Sequence, residues 1–168
     1  MADGEAEIPI EAADEAYPVQ QHQFYEELAR AGCMLLDSGA TTQVCGLAAA
    51  DEIQLAAVDS GLGDVQFDQG DTRTFTFGNG EQDTSLGTAV VPAVLGTAQV
   101  GLPISILDRP APPLLGVGIL NQSKAVVDFG DHPGVWFEGL GGPKTSCLRL
   151  SSGHLALKVV PGAPDPSE

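Results

Sequence analysis

An aspartate that directly follows an apolar run is the feature of this sequence best suited to acid–base chemistry. Residues 33–36 are apolar, and the run stops at Asp37, which Ser38, Gly39 and Ala40 follow. A carboxylate at the edge of a hydrophobic core loses solvent, which disfavours its charged form. The Ser38 hydroxyl can brace nearby backbone, and Gly39 permits a tight turn whose N–H points at the carboxylate. Proton transfer is one interpretation; a plain turn that ends a strand is the other.

A second Asp-Ser-Gly begins at Asp59, 22 residues further along the chain. The residues before it, 56–58, are Ala-Ala-Val. Leu62 follows Gly61 in this second tripeptide, whereas the small Ala40 follows Gly39 in the first. Because a small residue allows close approach to the carboxylate, we favour Asp37 as the functional aspartate and keep Asp59 as the alternative.

Metal and thiol chemistry are poorly supported by the remaining residues. The three histidines lie far apart and show no metal-ligand spacing. The three cysteines (Cys33, Cys45 and Cys147) contain no C-x-x-C pair, so we interpret them as buried or idle thiols in a reducing compartment. We therefore predict that the chain uses no metal and no cofactor.

The charge balance argues against polyanionic partners. The 168 residues include 23 acidic and 7 basic ones, for a formal net charge of −16, whereas phosphate contacts need clustered Lys and Arg. We predict no nucleic-acid and no membrane binding. The acidic N-terminus lacks the layout of a signal peptide, so we expect a cytoplasmic protein that is not secreted. Residues 84–107 are uncharged, but their prolines and glycines favour two buried strands joined by a turn over a membrane span.

The composition favours strands and turns, since Gly and Pro number 21 and 12. We predict a mainly β domain over residues 17–160, with disordered tails at 1–16 and 161–168. A helix is expected at 19–31, capped by Gly32. Residues 47–58 fit a helix or a loose pair of strands equally well. The predicted strands are 33–36, 72–77, 89–95, 100–107, 125–129 and 154–160, with a short helix within 114–121.

A hairpin is the clearest local prediction. Residues 72–77 alternate Thr and Phe, the period-two pattern of a half-buried strand. Gly78, Asn79 and Gly80 follow at once, and both residue types tolerate positive φ. A turn is therefore predicted at the end of this strand.

Three segments in order resemble the retropepsin-like aspartic proteases. Residues 35–41 read Leu-Leu-Asp-Ser-Gly-Ala-Thr and resemble the active-site motif, in the D-S-G-A-T form of copia-type retrotransposon proteins. Residues 75–81 resemble the flap hairpin. Residues 113–120, followed by 125–129, are similar to the second hydrophobic-Gly element, its helix and the next strand. The resemblance covers about residues 32–160 and suggests a retrotransposon-derived gene.

The resemblance implies a retropepsin-like closed acid-protease barrel with one lobe per chain and one or two short helices. It implies a homodimeric aspartic endopeptidase that cuts an extended peptide or polyprotein, with Asp37 of each chain in a catalytic dyad. Ser38 and Gly39 would hold that aspartate across the dimer. The expected substrate-binding flap is Phe77, Gly78, Asn79 and Gly80, and the expected supporting residues are Ala40, Thr41, Leu115 and Gly116.

Several features depart from the family pattern. The separation between Asp37 and Gly78 exceeds that of the compact viral members, and Asp59 lies nearer the flap. A helix replaces the N-terminal strands that normally build the dimer sheet, and Gly118 stands where many relatives carry an aspartate. The alternative function is a catalytically inactive, domesticated domain of the same fold that dimerises or binds peptides by strand addition. A β-rich adaptor without proteolytic ancestry is a third interpretation.

Overall fold

Most of the regular structure is β, with helices packed beside the strands. A computed structural model of the chain describes residues 7–8, 19–77 and 79–165; it is 39% strand and 20% helix. Within these ranges the helices are α1 Val19–Arg30, α2 Leu47–Asp59 and α3 Val117–Gln122. The strands are β1 Glu7–Ile8, β2 Cys33–Leu36, β3 Gln43–Gly46, β4 Gln66–Asp68, β5 Thr74–Phe77, β6 Gln82–Thr84, β7 Gly87–Leu95, β8 Ala98–Leu107, β9 Leu114–Leu115, β10 Ala125–Asp128, β11 Gly134–Phe137, β12 Thr145–Arg149 and β13 Leu155–Lys158.

Ten of these strands form one mixed sheet in the order β10-β11-β12-β13-β2-β9-β3-β8-β7-β4. The pairs β2–β9 and β3–β8 are parallel, while β9 runs antiparallel to β3, so β9 lies between two strands of opposite direction. The mainly β prediction is confirmed. The predicted closed barrel is not detected among the described strands, and these residues hold three helices where one or two were expected.

The uncharged stretch over residues 84–107 forms the longest hairpin. Strands β7 and β8 pair in antiparallel register from Gly87 opposite Ile106 to Leu95 opposite Ala98, and Gly96 turns the chain with φ +66°. The predicted pair of strands joined by a turn is therefore confirmed. Among the described residues, no helix is long and apolar enough to cross a membrane.

Residues 47–58, which fitted either a helix or a pair of strands in the sequence, are helical and lie in α2. Its buried residues, Ala49, Ala50, Ile53 and Ala57, recur at helical spacing and pack into a larger core against β7 and β8. The predicted helix at 19–31 is confirmed as α1, and Gly32 follows it in the left-handed region at φ +73°. A β-carbon on Gly32 would lie 2.7 Å from the Val160 β-carbon, so the cap is also a close-packed position.

A smaller core separates the main sheet from a second, three-stranded sheet of order β1-β5-β6. We call this set of side chains the site core, because it includes residues on both sides of Asp37. Its buried members are Leu28, Ala31, Cys33, Leu35, Ala40, Val44, Phe75, Phe77, Leu107, Ala111, Leu114 and Ala156.

The structure describes parts of both predicted tails. Of residues 1–16 only Glu7–Ile8 are described, and they form β1, which pairs with β5 in parallel; the others lie outside the described residues. At the other end, Ala163 is buried in the larger core and the Lys158 Nζ lies 2.8 Å from the Asp165 Oδ1. An apolar contact and an ion pair therefore attach Ala163 and Asp165 to the rest of the fold.

The three cysteines are free thiols, two of them buried and Cys147 half-buried. Burial raises the pKa of Cys33 to about 11 and that of Cys147 to about 11, and it raises the pKa of Cys45 further. Since the thiolate is the reactive form, the thiolate fraction of Cys147 at pH 8 should be roughly 100-fold below that of a free thiol.

We expect alkylation of the native chain by iodoacetamide at pH 8 to be at least about tenfold slower than in urea. The native rate should rise as the pH approaches 10. Mass spectrometry of quenched samples would measure both rates. One fast-reacting cysteine in the native chain at pH 8 would contradict the prediction that burial makes all three thiols unreactive.

Candidate active site

Strand β2 brings Asp37 to the end of an apolar strand in the middle of the sheet. The neighbours of β2 are β13 and β9. The Leu35 N–H donates to the Pro113 carbonyl at 2.8 Å, and the Asp37 N–H donates to the Leu115 carbonyl at 3.0 Å. The backbone of Asp37 is thus attached to the second hydrophobic-Gly element, while its side chain is half-buried.

The predicted tight turn is present at Asp37. The Gly39 N–H donates to the Asp37 Oδ1 at 2.8 Å, and the Ala40 N–H donates to the Asp37 carbonyl at 3.2 Å. Ser38 and Gly39 are exposed, whereas Ala40 is fully buried in the site core. The turn therefore orients one carboxylate oxygen through a backbone N–H and leaves the Asp37 side chain within reach of solvent. Such a carboxylate can exchange a proton with water or with a second carboxyl group.

The second hydrophobic-Gly element, residues 113–120, is hydrogen-bonded to this turn. The Val117 N–H donates to the Ala40 carbonyl at 2.7 Å, and the Gly118 N–H donates to the Thr41 carbonyl at 3.1 Å. Leu115 is fully buried in the larger core. A β-carbon on Gly118 would lie 2.9 Å from the Thr41 oxygen, so the close approach of the two segments favours glycine there.

Gly116 makes the closest contact between the two segments. A β-carbon there would lie 2.6 Å from the Thr42 oxygen and 2.7 Å from its carbonyl carbon and nitrogen. The Gly116 N–H donates to the Gln43 Oε1 at 3.2 Å. The four expected supporting residues, Ala40, Thr41, Leu115 and Gly116, therefore all lie at this junction.

Gln43 was not identified from the sequence, although it joins three segments. It is 4% exposed; its Oε1 accepts from Gly116, and its Nε2 donates to the Pro103 carbonyl at 3.1 Å. A buried amide that satisfies two backbone groups stabilises the packing around it. The available signal was one polar residue at the start of an otherwise apolar strand. Nearby, the Thr41 Oγ1 is buried and lacks a hydrogen-bond partner among the described residues.

The predicted hairpin is confirmed as β5 and β6. Its strands pair in antiparallel register, with Thr74 opposite Thr84 and Thr76 opposite Gln82. The Gly80 N–H donates to the Phe77 carbonyl at 2.9 Å, and Gly80 has φ +89°. Asn79 and Gly80 are exposed at the tip, and Gly78 lies outside the described residues.

Phe77 has a different place from the one expected for a substrate-binding residue. It is 1% exposed and, with the fully buried Phe75, packs in the site core with Leu35 and Ala40. In this conformation the Phe77 ring is buried in the site core, which also contains Leu35 and Ala40 from either side of Asp37. Among the expected flap residues that the structure describes, the exposed ones are Asn79 and Gly80 at the tip.

Arg109, which the sequence did not single out, contacts the hairpin at three residues. Its guanidinium carbon lies 4.1 Å from the centre of the Phe77 ring. Its terminal nitrogens lie 3.9 Å from the Glu81 Oε1 and 3.7 Å from the Asp83 Oδ2. Burial lowers the pKa of Arg109, but arginine stays charged at any working pH. Residue 109 follows β8, so this contact connects the hairpin to the main sheet.

Replacing Arg109 with Met should loosen the hairpin because it removes the charge over Phe77 and the ion pairs with Glu81 and Asp83. We expect a loss of about 1 kcal/mol in the free energy of unfolding and faster amide exchange in β5 and β6. Arg73→Met, at an exposed arginine just before β5, is the matched control and should change neither. Hydrogen exchange by mass spectrometry measures the difference; equal effects of both variants would contradict a specific role for Arg109.

The second Asp-Ser-Gly has a local structural explanation. Asp59 is the last residue of α2, Ser60 is its C-cap, and Gly61 has φ +79°. The Ser60 N–H donates to the Ala56 carbonyl at 3.0 Å, and the Leu62 N–H donates to the Ala57 carbonyl at 3.1 Å. These bonds satisfy the free carbonyls of the helix end, so the same tripeptide serves here as a helix terminator.

Among residues 7–8, 19–77 and 79–165, no group of three His, Cys, Asp or Glu side chains could hold a metal ion. No protein-family model, curated protein or solved structure matches the chain. The functional assignment therefore depends on the geometry of the Asp37 turn, the element beneath it and the hairpin.

Proposed function

We propose that the chain is an aspartic endopeptidase of the retropepsin type that acts as a homodimer. The observation that carries this proposal is the double attachment of the Asp37 turn. Leu115 accepts the Asp37 N–H, and Ala40 accepts the Val117 N–H. This attachment joins the two segments whose order resembles the family and leaves a half-buried carboxylate at an exposed turn. The hairpin packs on the same core and supplies the third segment of the resemblance.

A dyad explains how a single Asp37 per chain could catalyse hydrolysis. One carboxyl group cannot act as acid and base in the same step, but two that face each other share one proton because both cannot ionise at close range. The ionised Asp37 takes a proton from water, which attacks the scissile carbonyl carbon. The protonated Asp37 of the second copy donates to the carbonyl oxygen, and the C–N bond then breaks as the amine is protonated.

The proposed substrate is a peptide or polyprotein segment bound in an extended conformation. The hairpin tip at Asn79 and Gly80 would cover it, and the exposed Ser38 and Gly39 would meet their copies across the dimer. The finer fold assignment, a retropepsin-like barrel with one lobe per chain, belongs to this proposal. So do a cytoplasmic location and a retrotransposon-derived origin.

The first test is cleavage of a diverse peptide pool between pH 4 and 9, alongside sedimentation of the same samples. Two chains of formal charge −16 repel each other, and this repulsion weakens as carboxylates take up protons or as salt is added. Activity should rise as the pH falls toward 5 and should follow the dimer fraction. A maximum above pH 8 would contradict the shared-proton dyad. A wild type that is dimeric but cleaves nothing would favour the inactive peptide-binding domain.

A further inference from the structure

Strand β5 is the central strand of a small sheet that is separate from the main one. Strand β6 occupies one of its edges through the hairpin turn, and β1 occupies the other. Strand β1 is only two residues long and pairs in parallel, with Glu7 opposite Thr76 and Ile8 opposite Phe77. The N-terminal part of the chain thus returns to the hairpin and adds a strand to it.

The register identifies the backbone groups that face β1. The Phe77 N–H donates to the Glu81 carbonyl at 2.8 Å, so it points toward β6. Backbone groups of successive residues point to opposite edges of a strand, and the Thr76 N–H and C=O therefore point toward β1. In a parallel ladder with Glu7 opposite Thr76, the Ile8 N–H is directed at the Thr76 carbonyl, and the Glu7 N–H is directed away from β5.

We propose that the outer edge of β5 is a strand-addition site for an extended peptide and that residues 7–8 occupy it as an intramolecular inhibitor. This inference rests on the proposed protease function. A hairpin that must move to admit a substrate is held more tightly when a third strand is paired with it. The same pairing uses the main-chain groups of Thr76 that would otherwise be open to an incoming strand.

The full-length chain supplies a sharp test through two adjacent proline substitutions. Ile8→Pro removes the N–H that faces Thr76, while Glu7→Pro removes one that faces away. Ile8→Val keeps the N–H and serves as a second control. We expect Ile8→Pro alone to speed amide exchange of Thr76 by tenfold or more and to raise kcat/KM on the peptide pool severalfold.

A synthetic peptide of residues 1–12 provides a readout that does not depend on activity. It should bind the Ile8→Pro chain, restore protection of Thr76 and lower kcat/KM, and the same peptide with N-methylated Ile8 should not. Unchanged Thr76 exchange in Ile8→Pro, or equal effects of Ile8→Pro and Glu7→Pro, would overturn the strand-addition site. Faster exchange and peptide binding with unchanged kcat/KM would overturn the inhibitory role. If neither the wild type nor Ile8→Pro cleaves the pool, the exchange and binding results still decide the strand-addition site, and the inhibitory role is rejected together with the protease proposal.

Discussion

Replacement of Asp37 with Asn should reduce peptide cleavage by about 10³-fold or more while the fold is retained. Asn cannot exchange the proton that each dyad member must give or take, and such acid–base steps contribute about 10²–10⁴-fold. The Asn Oδ1 can still accept the Gly39 N–H that the carboxylate accepts at 2.8 Å, so little stability should be lost. Initial rates at pH 5, with circular dichroism of both proteins, measure the two effects.

Asp59→Asn is the matched control, because it makes the same change in the other Asp-Ser-Gly. Asp59 is exposed at the end of α2, and activity should stay close to that of the wild type. Loss of cleavage in Asp59→Asn with full activity in Asp37→Asn would reverse the assignment. Mixing wild type with a ninefold excess of Asp37→Asn should lower activity to roughly one tenth, since most wild-type chains would pair with an inactive copy.

Gly116→Ala should be the most destabilising small change near the site. The backbone of Gly116 has φ −89° and ψ 170°, which alanine adopts freely, so the cost is steric. Its β-carbon would lie 2.6–2.7 Å from three backbone atoms of Thr42, and backbone can yield only if the Asp37 turn shifts. We expect the free energy of unfolding to fall by about 2–3 kcal/mol and cleavage to fall with it.

Gly70→Ala is the control for this prediction. Around Gly70 the nearest atom to an added β-carbon is the Asp68 Oδ1 at 3.4 Å, the end of an exposed side chain. Its free energy of unfolding should stay within about 0.5 kcal/mol of the wild type. Urea titration measures both variants, and comparable stability of Gly116→Ala and Gly70→Ala would show that the junction under Asp37 is not closely packed.

Much of the local structure could be predicted from the sequence because its signals come from neighbouring residues. The Thr-Phe alternation and the glycines at residues 78 and 80 predicted the hairpin, and the uncharged stretch at 84–107 predicted β7 and β8. The turn at Asp37 followed from an apolar run that stops at Asp-Ser-Gly. The helix at 19–31 and its Gly32 cap were predicted for the same reason.

Other features depend on contacts between residues that are distant in the chain. Residues 47–58 show no clear period, and their helical state follows from the burial of one face against β7 and β8. Both Asp-Ser-Gly tripeptides contain the same residues, yet one ends a central strand and the other caps a helix. No local pattern indicated that Arg109 would lie over Phe77 or that Gln43 would join Gly116 to Pro103.

A mainly β, strongly acidic chain with an Asp37 turn and a glycine-tipped hairpin could be predicted from the residues alone. Composition is a property of the whole sequence, and the alternation of apolar residues and the turn residues involve only neighbouring positions. These signals can therefore be recognised without knowing the fold. The folded chain was needed to show that β9 lies between β2 and β3, that its Leu115 accepts the Asp37 N–H, and that the hairpin packs in the site core. These arrangements arise from hydrogen bonds and packing between residues that are distant in the chain, such as the bond between Gln43 and Gly116, with a separation of 73.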